Sequence, residues 1–427
     1  MTRGSWLVAG AIGLALAAGP VQAQETLRIG FVTFLSGPAA GPFGVPARNA
    51  AELMVEALNA GQVPAPYDRP GIAGAKIEMT VIDEAGGAQA QVAEYRKLAE
   101  QVDVVIGYIS SGDCKAIAPV AEEMQRLTVF FDCGTPQIFE EVVTEPKYLF
   151  RTSTHSTIES IAAARYILDL IPGLKTIAGL NQNYAWGQDS WRDFSRSILA
   201  LRPDVQVVAE LFPQLFAGQY GSEISALLAA GADVVHSSFW GGDLEAFILQ
   251  AAPRGLFQTS RVILPSGETT VWRLAGQLPD GTVIGARGPN GPFAPDNELN
   301  RWFRSAYHER YGEWPVYSAY HMARAILGTK AAFEKAAGNG GGLPSTDAVI
   351  AAFENLVFDS PSGEIRMALG RGHQAVAPIP YGVYRYDAAS GQPTFEDVRY
   401  YAPECVAPPP DMKGIDWIGA GFPGAKC

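Results

Sequence analysis

Histidine is scarce in this 427-residue sequence, and the motifs that enzymes build from it are missing. The five histidines (His155, His236, His308, His321 and His373) are scattered, and none stands at metal-ligand spacing from another. There is no HExxH, no CxxC, no GxSxG elbow and no GxxxxGK[ST] loop, and no GxGxxG follows the first strand. These absences argue against metallohydrolase, serine-hydrolase, nucleotide-hydrolysing and dinucleotide chemistry, so neither an enzyme nor a cofactor is expected. Basic charge is also in deficit. The chain has 32 Lys and Arg against 44 Asp and Glu, a formal net charge of -12, which repels nucleic acid and anionic membrane surfaces. After the first twenty-three residues no apolar run approaches the ~18 residues that span a bilayer.

What is present starts at the N-terminus. Arg3, an apolar stretch over residues 6–18 and Val21-Gln22-Ala23 form the charged, hydrophobic and small-residue parts of a secretory signal. Cleavage near Ala23 would leave about 400 residues, enough for two globular lobes, exported and soluble. Gln24 rather than Cys follows the cut, so no lipid anchor is expected. Four cysteines in an exported chain favour disulfides. Of the three pairings, the local one is expected, Cys114 with Cys133 and Cys405 with Cys427. A buried free thiol is the alternative for Cys133.

Strand and helix patterns alternate along most of the chain. Strands are expected at 27–34, 76–83, 103–108 and 128–133, with helices at 46–59, 89–101 and 115–126 between them. A second series starts near Arg151. Its strands are at 176–182, 205–212, 233–239 and 261–265, and its helices at 187–201, 222–230 and 243–252. Repeated β-α units of this length force parallel strands with right-handed crossovers. The fold class is therefore α/β, with two doubly wound parallel sheets. The last third breaks this rhythm, with helices at 297–311, 318–336 and 346–355 and strands at 363–368 and 381–386. Residues 412–427 lack periodicity.

The turn after the third strand has its own chemistry. Ser110, Ser111 and Gly112 end a strand and open a helix, where hydroxyls and free N–H groups suit an anion. Ser111 also fits a plain N-cap. Asp113, Asp132 and Glu268 are the acids a metal site would use, but they are not at ligand spacing, and no metal is expected.

Four segments together resemble the type I periplasmic binding proteins, within them the branched-chain amino acid and amide group of ABC-importer receptors. They are IGFVTFLSGP at 29–38, VVIGYISS at 104–111, TVFFDCGT at 128–135 and YAWG at 184–187. The resemblance covers residues 27–387 and implies two lobes joined by a three-crossover hinge, with the ligand closed between them. It places the signal at 1–23, one lobe at 24–150 plus 288–360, the other at 151–287 plus 361–400, and a Gly/Pro-rich tail at 401–427. The crossings are expected near 150–152, 286–292 and 359–365.

The resemblance also implies a site. Ser111, Cys133, Gly134 and Thr135 would hold a carboxylate, beside the Ser110 hydroxyl of the turn already described, while Phe43, Tyr184, Trp186 and Trp240 would supply aromatic walls. Relatives that bind amino acids place an acid for the ammonium where Ser266 stands here, which leaves Glu268 or Asp113 as substitutes. If neither reaches the ligand, an apolar or aromatic carboxylate or an amide is expected, because a buried unpaired ammonium is costly. The leading reading is a monomeric periplasmic receptor that hands a small-molecule solute to an inner-membrane ABC permease. The alternative is a ligand sensor of the same fold that signals to a protein partner. Less favoured is an exported hydrolase using Asp83, Glu84 or Asp113.

Overall fold

The computed structural model describes residues 1–2, 25–338, 340 and 342–427. The expected export signal therefore lies outside the described residues, apart from its first two. The first half of the chain folds as β1 (Thr26–Thr33), α1 (Val45–Ala60), β2 (Lys76–Asp83), α2 (Ala88–Ala99), β3 (Val104–Gly107), α3 (Ser111–Glu123), β4 (Thr128–Phe130) and β5 (Leu149–Arg151). These strands pair in parallel in the order 2-1-3-4-5. β1 lies inside the sheet and buries Leu27, Ile29, Phe31 and Val32, whereas edge strand β2 buries only Ile77. That contrast explains the continuous apolar run of the first and the alternation of the second.

The second sheet repeats the plan. It follows α4 (Ser156–Leu170) and comprises β6 (Thr176–Leu180), α5 (Ala185–Leu201), β7 (Gln206–Leu211), α6 (Gly221–Ala230), β8 (Val234–His236), α7 (Gly241–Ala251), α8 (Leu256–Thr259), β9 (Arg261–Leu264) and β10 (Val283–Gly285). Its parallel strands run 7-6-8-9-10, the same order as the first. In each sheet the order reverses between the first and third strands of the series, and the loops beyond those strand ends open a crevice. The expected two doubly wound lobes are therefore present.

The remaining elements are α9 (Glu298–Tyr311), α10 (Tyr317–Ala337), α11 (Thr346–Phe353), β11 (Val357–Ser360), β12 (Gly363–Leu369), β13 (Gln374–Val376), β14 (Ile379–Asp387), β15 (Gln392–Tyr401), α12 (Pro403–Val406) and α13 (Gly414–Gly419). α10 packs on α1 in the first lobe. Two boundaries differ from expectation. β11, β12 and β13 extend the first sheet through the β13–β5 pairing, so residues 361–376 belong to the first lobe and the third crossing falls at Ala377-Pro378. The reason is burial: Phe358, Ile365 and Met367 complete the core under α10. The tail is also not irregular. Val406, Trp417, Ile418 and Phe422 enter the core of the second lobe beside α4 and α5, and the Cys405–Cys427 disulfide closes the segment. Cys114 and Cys133 form the other disulfide, with Cα atoms 6.4 Å apart. Among the described residues no helix is long and apolar enough to cross a membrane.

Candidate functional site

The loops beyond the strand ends of both sheets converge on one pocket between the lobes. The first lobe contributes Phe43 after β1, Ile109 and Ser111 after β3, and Asp132 and Gly134 after β4. The second contributes Tyr184 and Trp186 after β6, Trp240 after β8 and Ser266 after β9. Arg287 enters from the crossing after β10, and Tyr317 from the start of α10. The enclosed space between these side chains is ≈ 10 Å³, room for about one water.

Gly134 lies at the polar end. Its N–H and that of Thr135 both donate to Ser111 Oγ at 3.2 Å. With both lone pairs engaged, the Ser111 hydroxyl proton is free to donate into the pocket. A Cβ on Gly134 would lie 2.2 Å from Trp186 Cζ3 and 2.8 Å from Arg287 Nη2, so only glycine lets the lobes meet here. Arg287 Nη1 donates to Asp132 Oδ1 at 2.7 Å and Nε to Glu159 Oε2 at 3.1 Å. Its Nη2 and Asp132 Oδ2 are buried and have no partner among the described residues. The site thus carries one free cationic donor and one free anionic acceptor on the same ion pair.

Burial and its partners set the charges. Desolvation opposes the Arg287 cation, but Glu159 and Asp132 outweigh it and hold the guanidinium charged. Burial pushes the Asp132 carboxyl up, yet Arg287 and the hydrogen bond from His321 Nδ1 (2.6 Å) keep it below the usual carboxylate range. His321 is pushed down to about 4 by burial and stays neutral at physiological pH. Three arginines at this hinge are almost fully buried: Asp132 and Glu159 counter Arg287 and Arg324, and Glu140 and Glu159 counter Arg151.

The other end is aromatic. Trp186 Nε1 donates to Ser238 O at 2.8 Å and Trp240 Nε1 to Tyr184 Oη at 2.6 Å, which fixes both indoles. Phe43 meets Trp240 edge-on at 5.4 Å and Tyr317 at 5.2 Å. The Arg287 guanidinium lies over Trp186 at 4.5 Å.

Of the residues expected from the sequence, Phe43, Ser111, Gly134, Tyr184, Trp186, Trp240 and Ser266 line this pocket. Five others lie off its wall. Ser110 caps α3, accepting from Asp113 N, while its own N–H donates to Glu84. Asp113 lies in the first turn of α3 near Glu84, which follows β2, and burial raises it to about 6. Cys133 is in its disulfide. The Thr135 hydroxyl donates to Asp189 of α5 at 2.5 Å. Glu268 accepts from Tyr317 N at 2.8 Å, and burial pushes it up to about 8, which favours its uncharged form at neutral pH. Asp113, Asp132 and Glu268 have separate partners and do not gather. Arg287, Ile109 and Tyr317 escaped the sequence reading, and Asp132 entered it only as a metal candidate. The available signal was a charge directly after an apolar strand, as in VFFD at 129–132 and VIGAR at 283–287.

A family model described as periplasmic binding protein matches residues 26–392. No curated protein matches the chain. Among solved structures, a solute-binding protein of an R. palustris ABC transporter in complex with benzoate has a TM-score of 0.74 at 22% identity, over 88% of this chain and 98% of that one. A second, from Rhodopseudomonas palustris BisB5 in complex with 3,4-dihydroxybenzoic acid, has a TM-score of 0.73 at 22% identity and the same coverage. A leucine-binding protein from Thermotoga maritima MSB8 has a TM-score of 0.71 at 19% identity, over 88% and 99%.

Proposed function

Since the chain belongs to the periplasmic binding protein family, we propose that it is the receptor of an ABC importer and that it closes on a small, flat carboxylate. One observation carries this reading: the unpartnered Arg287 Nη2 and the donating Ser111 hydroxyl flank Gly134 at one end of a pocket whose other walls are rings. A carboxylate there would take charge-assisted hydrogen bonds. An aromatic ring would bury its faces against Trp186, Trp240 and Phe43. Asp132 Oδ2, ionised and unpartnered, would accept from a hydroxyl or N–H on the ligand. The benzoate and dihydroxybenzoate bound by the R. palustris proteins have this chemistry.

The receptor is exported by its N-terminal segment with cleavage near Ala23, works as a monomer, performs no catalytic step and delivers its solute to an inner-membrane permease. Differential scanning fluorimetry with benzoate, 3,4-dihydroxybenzoate and leucine tests the solute class. The aromatic acids are expected to raise Tm and leucine to leave it unmoved. A rise with leucine alone, or with none of the three, overturns the reading.

A further inference from the structure

The family model ends at residue 392, and the three solved relatives are matched over 98–99% of their own length but only 88% of this chain. The C-terminal tail lies beyond the family model, and it touches both lobes. Its apolar residues Val406, Trp417, Ile418 and Phe422 sit in the second lobe. Two polar ties reach the first. Gly414 N donates to Glu140 Oε1 at 3.0 Å, and Glu404 pairs with Arg366 of β12 at 2.7 Å. Between these ties run Pro408, Pro409 and Pro410, whose rings fix three successive φ angles and stiffen the span. The Cys405–Cys427 disulfide and the bond from Lys426 N to Glu404 O return the chain end to the start of the tail.

The position of Glu140 gives the contact a direction. It follows Thr135 and Gln137, whose side chains cross the seam to Asp189 on α5 at 2.5 Å and 2.9 Å. Opening the lobes separates that seam, and the Glu140–Gly414 tie crosses it at the same place. We infer that the C-terminal tail is a strap, anchored in the second lobe and fastened to the first through Glu140 and Arg366, that biases the lobes toward their closed arrangement. Glu140 is the stronger fastening because it is half-buried, whereas the Arg366–Glu404 pair is exposed and screened.

The test uses the full chain and no solute, so its outcome is separate from that of the solute screen. Spin labels placed by Thr80→Cys and Val208→Cys, on the outer strands β2 and β7, report the interlobe distance by double electron–electron resonance. The ligand-free wild type is expected to populate a closed distance. Glu140→Ala should reduce that population about three- to ten-fold. Arg366→Ala should reduce it less, and Cys405→Ser with Cys427→Ser should reduce it as well. A strap that only stabilises the fold would lower Tm in these variants without moving the distance distribution. The inference fails if the Glu140→Ala/Arg366→Ala distribution superimposes on that of the wild type while near-UV circular dichroism shows Trp417 still packed. It also fails if the ligand-free wild type is wholly open.

Discussion

Glu268 links stability to pH. Its carboxyl is fully buried, accepts one backbone N–H from Tyr317 and has no partner for Oε1 among the described residues. Burial pushes it up to about 8 from the 4.5 it has in an unfolded chain. The folded state therefore keeps a proton that the unfolded state releases, and stability falls as pH rises from 4.5 through 8. At about 1.36 kcal/mol per pH unit for one full proton, with half the group titrated at pH 8, this amounts to about 1.5 kcal/mol between pH 6.5 and 8. Other buried groups titrate alongside it. Glu140, raised to about 7 by burial, acts in the same direction. His155, His236 and His321, all lowered by burial, act in the opposite one. Glu268→Gln removes only the Glu268 contribution and keeps an acceptor for Tyr317 N. Urea denaturation of both proteins at pH 6.5 and 8 isolates the difference: the wild type should lose about 1.5 kcal/mol more than the variant. Equal losses would show that Glu268 is ionised in the fold.

Gly134→Ala should lower benzoate affinity at least about ten-fold in isothermal calorimetry and move the ligand-free lobes toward a longer interlobe distance, because the added Cβ meets Trp186 when the lobes close. Arg287→Met strands the buried Asp132 and Glu159 carboxylates and should cost about 3–5 kcal/mol in urea denaturation. Adding Asp132→Asn should recover part of that loss. Trp417→Ala empties a tail site with 1% exposure and should destabilise by about 3–5 kcal/mol, read as a lower urea midpoint.

Much of this architecture was legible because parallel βα units write themselves in the chain as apolar runs followed by small polar turns. The same punctuation exposed Ser111, whereas Trp186 and Trp240 were singled out through the resemblance to the binding-protein family. Arg287 and Asp132 were harder to see. A charge closing a strand looks the same whether it faces water or a buried partner, and here the partners, 155 residues apart, meet only through the fold. β15 was missed because it is an edge strand with most of its residues exposed, so it shows little hydrophobic alternation. The tail looked irregular because its two short helices, separated by prolines, are too brief for a 3.6-residue period to register. Glu268 was proposed from its position after β9, and sequence alone gives no sign of how thoroughly that turn is desolvated.

The repeated strand order of the two sheets also divides recognition unevenly. At the proposed site Ser111, Asp132 and Gly134 of the polar end come from one half of the molecule, and Tyr184, Trp186 and Trp240 from the other, while Phe43 of the first half adds to the ring walls and Arg287 of the crossing adds to the polar end. Changes confined to the second half's loops would therefore reshape the Trp186 and Trp240 walls and leave the polar end in place. A lineage of such receptors could diversify its cargo by altering a single set of loops at a time.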